Sequence, residues 1–154
     1  MQLREAIPAD AAACVALFTA SVHQLAARHY NGEQRLAWAP PHADMTFWQQ
    51  HLAGLEVLLA EREQSLLGFI GYAADGHIDL LFCAPQAARE GVASALYTTA
   101  EKRLRALGQT RLYTEASLLA KPFFLNRGFA VIEQEDVQRG DVSLRRYHMQ
   151  KMLD

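Results

Sequence analysis

The segment from His77 to Leu107 holds the chain's most suggestive arrangement of residues for chemistry. An apolar run, Ile78-Asp79-Leu80-Leu81-Phe82-Cys83-Ala84-Pro85, stops at its proline. After Gln86 to Glu90, the stretch Gly91-Val92-Ala93-Ser94 opens a helical pattern. A helix start leaves backbone N–H groups without partners and concentrates positive dipole, a combination suited to phosphate. Gly91 and Ala93 are small enough for phosphate oxygens to approach the backbone, and Arg89 offers a charge-assisted contact. Glu90 puts an acid beside the same loop. A glycine at a helix start also serves plain turn geometry, so this loop alone leaves both readings open.

Asp79 is a lone acid in its apolar run. A carboxylate held partly out of water is a candidate general base, and an outward-facing residue paired with a neighbouring strand is the alternative. A third group, His23, His29, Tyr30, Trp38, His42 and Trp48, crowds into the first third of the chain. Such a surface suits a flat or cationic amine. The two tryptophans also fit as packing anchors and the histidines as surface residues, with His23 nearest an apolar stripe. No histidine has the i,i+4 or His-Glu-x-x-His spacing of a metal site, so no metal is expected.

These residues need a scaffold, and the pattern of apolar positions supplies one. Leu3–Ile7 reads as a strand, and Pro8 and Asp10 open a helix with the stripe Val15, Leu17, Phe18, Val22 and Leu25. Asn31-Gly32 is read as its stop. An irregular helical region follows, broken at Pro40-Pro41 and resumed from Asp44 to Leu52. Strands are expected at 57–60, 65–73 and 78–83, with Asp75-Gly76 as the turn between the last two. Gly91–Leu107 returns to helical spacing and ends at Gly108. A strand at 112–115, a helix at 117–126 and an antiparallel pair at 129–137 and 142–149 complete the chain. The fold class is therefore α/β, in α+β layers, with helices on a mixed sheet.

Composition sets the boundaries. The chain has 154 residues, 51% hydrophobic and 21% charged, with a formal net charge of −2, which points to one domain over 1–154 and against disorder. No basic face emerges, so nucleic acid is not an expected partner. Glu5 and Asp10 interrupt the start where a signal peptide would be apolar, and no unbroken apolar run nears the roughly 18 residues of a membrane span. Cys14 and Cys83 are read as buried free thiols, which suits a cytoplasmic protein. Neither Gly-x-Gly-x-x-Gly nor a Walker motif is present.

Two blocks together carry a family resemblance. Ala88-Arg89-Glu90-Gly91-Val92-Ala93-Ser94-Ala95-Leu96 resembles the pyrophosphate loop of the GCN5-related N-acetyltransferase (GNAT) superfamily, with Ala88 in place of the usual Gln or Arg. Glu115-Ala116-Ser117, Ala120-Lys121-Pro122-Phe123-Phe124 and Arg127-Gly128-Phe129 resemble its second signature. The segments SVHQLAARHY, AWAP, HIDLLF and AKPFF are similar to the YafP-type bacterial acetyltransferases.

The resemblance implies an N-acyltransferase fold with a largely antiparallel sheet, and acetyl-CoA as cosubstrate held by residues 88–94. It implies that the backbone of Leu81, Phe82 and Cys83 lines the pantetheine and the acyl carbonyl, with Ser117 where Asn commonly contacts the pantetheine arm. Asp79 falls where some members carry a carboxylate base. Phe124 falls where a tyrosine often protonates the leaving thiolate, leaving Tyr113 and Tyr147 as substitutes. His23, Tyr30 and Trp38 belong to the helical roof that would meet the acceptor, a small-molecule or peptide amine. A non-catalytic acyl-CoA-binding module and a homodimer on the C-terminal sheet edge remain open.

Overall fold

The computed structural model describes residues Met1–Asp154. Seven strands form one sheet in the order β1-β2-β3-β4-β5-β7-β6. They are β1 Gln2–Glu5, β2 Glu56–Arg62, β3 Ser65–Tyr72, β4 His77–Cys83, β5 Arg111–Ser117, β6 Ala130–Arg139 and β7 Val142–Met152. Every neighbouring pair is antiparallel except β4 and β5. The helices are α1 Ala11–Leu25, α2 Gly32–Trp38, α3 Met45–Ala53, α4 Val92–Ala106 and α5 Lys121–Asn126.

β3 explains the layering. Leu67 through Tyr72 are all buried, odd and even positions alike, so both faces of the strand are covered. At Gly68 the sheet lies close under α4: a Cβ there would meet Val92 Cγ1 at 2.7 Å and the Phe82 carbonyl oxygen at 2.9 Å. Phe82 of β4 meets Phe18 of α1 edge-on, with ring centroids 4.9 Å apart. Pro8–Arg28, 21 residues at mean hydropathy 1.2, does have the length and apolarity of a membrane span. Its apolar side is used in the core, where Cys14, Leu17, Phe18 and Val22 are buried.

Asn31 does not stop α1. That helix ends at Leu25 and runs into a 3-10 turn at Ala26–Arg28. Asn31 instead caps α2, its side chain accepting from Gln34 N at 2.8 Å while Gln34 Oε1 accepts from Asn31 N at 2.8 Å. That reciprocal pair is a capping box. The expected helix at 117–126 is also shorter. Ser117 still pairs with Arg146 of β7, and α5 begins only at Lys121, with Pro122 in its first turn.

The central irregularity lies between β4 and β5. They pair only at His77 with Tyr113 and Ile78 with Thr114, then part. β4 stays with β3 and β5 stays with β7, so the sheet forks. At the fork β4 also carries a bulge: Gly71 pairs with Leu80 and Tyr72 with Ile78, leaving Asp79 unmatched. A bulge frees one side chain from the strand's alternation and re-aims it.

Candidate active site

The fork opens into a cavity of about 410 Å³. Leu80, Leu81 and Phe82 line it from β4, and Ala116 and Ser117 from β5. Beyond Ile78 the fork-side edge of β4 has no strand partner, so its backbone donors and acceptors are free for a ligand with amide groups. α1, α2 and α3 supply the roof through Phe18, Trp38, Phe47 and Trp48. Phe18 lies 6.2 Å from Trp38 and 4.9 Å from Trp48, which ties the roof to the sheet through an aromatic cluster.

Asp79, the bulge residue, lines the cavity and turns toward α3 rather than toward a neighbouring strand. His51 Nε2 stands 3.2 Å from its Oδ1, and His77 Nδ1 lies 3.9 Å from its Oδ2. The His51 ring is stacked on Phe47 at 5.4 Å. One strand over, His77 Nε2 meets both oxygens of Glu115, at 2.9 and 3.1 Å, and the His77 ring stacks on Tyr113 at 4.6 Å. The Glu115 carboxylate holds His77 above the usual imidazole range, and His77 holds Glu115 below the usual carboxylate range. His51, Asp79, His77 and Glu115 follow one another as pairs, and no three converge as a metal site requires.

The second anchor lies at the start of α4. Arg89 and Gly91 have positive φ, 65° and 84°, and turn the chain sharply into the helix. No protein oxygen accepts from the N–H groups of Gly91, Val92, Ala93 or Ser94. A Cβ on Gly91 would meet nothing within 4 Å, so the loop opens to solvent in front of these donors. Glu90 does not leave its charge bare beside them, because Arg62 Nη1 pairs with its Oε1 at 3.1 Å. Ala88 is half-buried, Arg89 exposed, and the Ser94 hydroxyl is bonded by Arg127. Burial pushes the Cys83 thiol up, opposed by the Ala93 N–H.

The remaining expected residues divide. Ser117 lines the cavity and its Oγ accepts from Ala120 N at 3.1 Å. Phe124 lines it too and brings no proton. Tyr113 and Tyr147 lie outside the lining: Tyr113 donates to Asp75 at 2.6 Å, and Tyr147 sits under Lys121 Nζ at 4.1 Å. Trp38 and Tyr30 both line the cavity, but the Tyr30 hydroxyl is spoken for. It donates to the Arg145 carbonyl at 2.6 Å and accepts from Leu118 N at 2.9 Å, locking the roof to β7 and the end of β5. His23 does not reach the cavity, since its Nε2 donates to the buried Ala39 carbonyl at 2.7 Å. His51 and Glu115 were not singled out by the sequence as site residues. Their partners stand 28 and 38 positions away, and no local spacing marks such pairs.

Known proteins are similar to this chain in sequence and fold. The family model described as the acetyltransferase (GNAT) domain covers residues 26–153. The chain belongs to the GNAT family of acetyltransferases. Its relatives include the uncharacterized N-acetyltransferase YafP of Escherichia coli (strain K12), 35% identical over 138 residues, or 90% of this chain and 87% of YafP. The crystal structure of a GCN5-related N-acetyltransferase from Rhodopseudomonas palustris superposes with a TM-score of 0.94 at 33% identity, covering 99% of this chain and 95% of that one. The PaiA N-acetyltransferase of Thermoplasma acidophilum, solved in complex with coenzyme A, shares the fold at a TM-score of 0.78 and 18% identity, covering 98% of each chain. This GNAT chain is an N-acetyltransferase, and its mixed, mostly antiparallel sheet is the family's.

Proposed function

We propose that this GNAT protein transfers the acetyl group of acetyl-CoA directly to a primary amine of a small molecule or peptide. One observation carries the reading: Asp79, Ser117, Phe124 and the free edge of β4 all line the cavity in the fork. The CoA pyrophosphate takes N–H groups of residues 91–94, from which no protein oxygen accepts, and the pantetheine arm runs along Leu81, Phe82 and Cys83 past Ser117. The amine enters between α3 and the fork. Its ammonium proton passes to the Asp79 carboxylate, which His51 orients. The neutral nitrogen then attacks the thioester carbon, whose oxygen is stabilised by backbone N–H donors of β4. The C–S bond breaks and CoA leaves as a thiolate. A thiol pKa of roughly 8.5 makes that departure workable without a tyrosine acid. The nitrogen then gives up its second proton, which the Ser117 hydroxyl or a water relays to that thiolate, and Asp79 returns the first to solvent. The two free cysteines support a cytoplasmic setting.

Incubation with acetyl-CoA and a mixed amine panel, followed by free thiol, tests this reading. Thiol release that depends on an amine is the expected result. Phe124 at the tyrosine position favours a second reading, an acyl-CoA-binding module without turnover. Tight CoA binding with no amine-dependent thiol would select it.

A further inference from the structure

The cavity has a basic side that acetyl transfer itself does not need. Arg139, Arg145 and Arg146 of the β6–β7 hairpin line it alongside Asp79 and Glu115. Four of these five side chains already have a polar partner. Arg145 Nε pairs with Asp136 at 3.1 Å and Arg146 Nε with Glu135 at 2.5 Å. Asp79 has His51, and Glu115 gives both oxygens to His77. Arg139 alone has neither an ion pair nor a side-chain hydrogen bond, so the one charged side chain in the cavity wall without a partner is a guanidinium. None of residues 88–94 lines this cavity, so Arg139 stands apart from the loop that suits the CoA pyrophosphate.

A free guanidinium at a cavity wall is a planar, permanently charged fork for a carboxylate or phosphate. The aromatic roof beside it offers apolar contact and no further acid. Resting on the acetyl-transfer reading above, we propose that the acceptor is a small amine carrying its own anionic group, a carboxylate or phosphate. Arg139 grips the anion while Asp79 takes the ammonium. The ligand's apolar body lies against Trp38, Phe47 and Trp48. Two-point binding of this kind presents the nitrogen to the thioester in one orientation and rejects simple alkylamines.

Matched pairs test the proposal: leucine against 3-methylbutylamine, phenylalanine against phenethylamine, 6-aminohexanoate against pentylamine, and phosphoethanolamine against ethanolamine. The first three pairs report on a carboxylate and the last on a phosphate. At least one anionic member is expected to exceed its neutral partner tenfold or more in kcat/KM. Arg139→Gln should bring that ratio close to one, mainly through KM. Neutral partners that equal or surpass the anionic ones throughout the panel would overturn the proposal. So would an Arg139→Gln variant that weakens CoA binding and leaves the ratio intact.

A failure of acetyl transfer itself reads differently. The protein's two tryptophans, Trp38 and Trp48, both line this cavity, so intrinsic fluorescence follows ligand entry without turnover. If no amine releases thiol, the same pairs are titrated into the CoA-loaded protein. Tenfold tighter binding of an anionic member, lost in Arg139→Gln, upholds the anion site. Equal binding of both members sinks it.

Discussion

The Asp79 carboxylate accepts its partner from the helical roof, with His51 Nε2 3.2 Å from Oδ1, rather than from either strand beside it. The β-bulge makes that possible, because Asp79 is the one residue of β4 with no counterpart on β3 at that step. The proposed proton acceptor thus stands on a strand of the sheet and is oriented by a side chain from the roof. Asp79→Asn is expected to lower kcat by about 10²-fold, the lower end of general-base effects. The Kd for CoA should not move. His51→Gln should cost less, and the double variant should be no slower than Asp79→Asn alone, since the two act as one unit. Turnover in Asp79→Asn that matches the parent across pH would remove this carboxylate from the mechanism.

Gly91 separates a conformational requirement from a steric one. Its φ of 84° is the left-handed region, yet a Cβ there meets nothing in the protein. Gly91→Asn, a residue that tolerates this region, should keep CoA affinity within a few fold. Gly91→Glu adds strain and a negative charge at the start of α4, and should weaken CoA more than about tenfold. Isothermal titration with CoA reads both, and circular dichroism confirms that each variant is folded. Equal losses for Asn and Glu would contradict the distinction.

The ion pair between Arg62 and Glu90 should act as an electrostatic shield for the same loop. Arg62→Ala bares the Glu90 charge and should weaken CoA binding several fold at low salt, with a smaller effect at high salt. Glu90→Gln should tighten it under the same conditions. CoA titrations at two ionic strengths check both signs, and an Arg62→Ala variant that binds as the parent does at low salt would discount the shield.

The His77–Glu115 pair gives the fold a pH signature. His77 is raised above its ordinary 6.5, so its contribution is complete below that value and fades as pH climbs through the raised folded value. Glu115 is lowered from 4.5, so its contribution is complete above that value and is lost as pH falls through the lowered one. Both are in full force between about 4.5 and 6.5. His77→Gln should therefore lose most stability in that window, by about 1.5–3 kcal/mol as for charge-assisted hydrogen bonds. The deficit should shrink toward pH 9. Thermal melts at pH 5.5 and 9 decide it, and equal deficits would mean that only ring stacking on Tyr113 matters.

Much of this was legible in the chain because it is local. The strand-loop-helix at 77–107 announces itself through an apolar run, a proline and a glycine within a few positions. Asn31 was equally local but ambiguous: before Gly32 it reads as a helix end, and only Gln34 three residues on marks it as a cap. The cavity was far less legible. His51 reaches Asp79 only because of a bulge, and bulges follow from strand pairing rather than from composition. Glu115 and Arg139 enter the site from β5 and β6, whose approach to β4 depends on the fork. Tyr30 was visible as an aromatic residue of the roof, whereas its hydroxyl's two backbone partners lie 88 and 115 positions away.

The fork has a bearing on how such a protein can change. Only two residue pairs stitch the half-sheet that carries the α4 loop to the half-sheet that carries Arg139, Arg145 and Arg146. β6 meets that seam only through β7, so if Arg139 reads the acceptor as proposed, changes on β6 can alter it while the α4 loop stays as it is. One lineage could then try successive acceptors while its donor stays constant. Acceptor choice would then be an exchangeable part, carried on the outermost strand of the sheet.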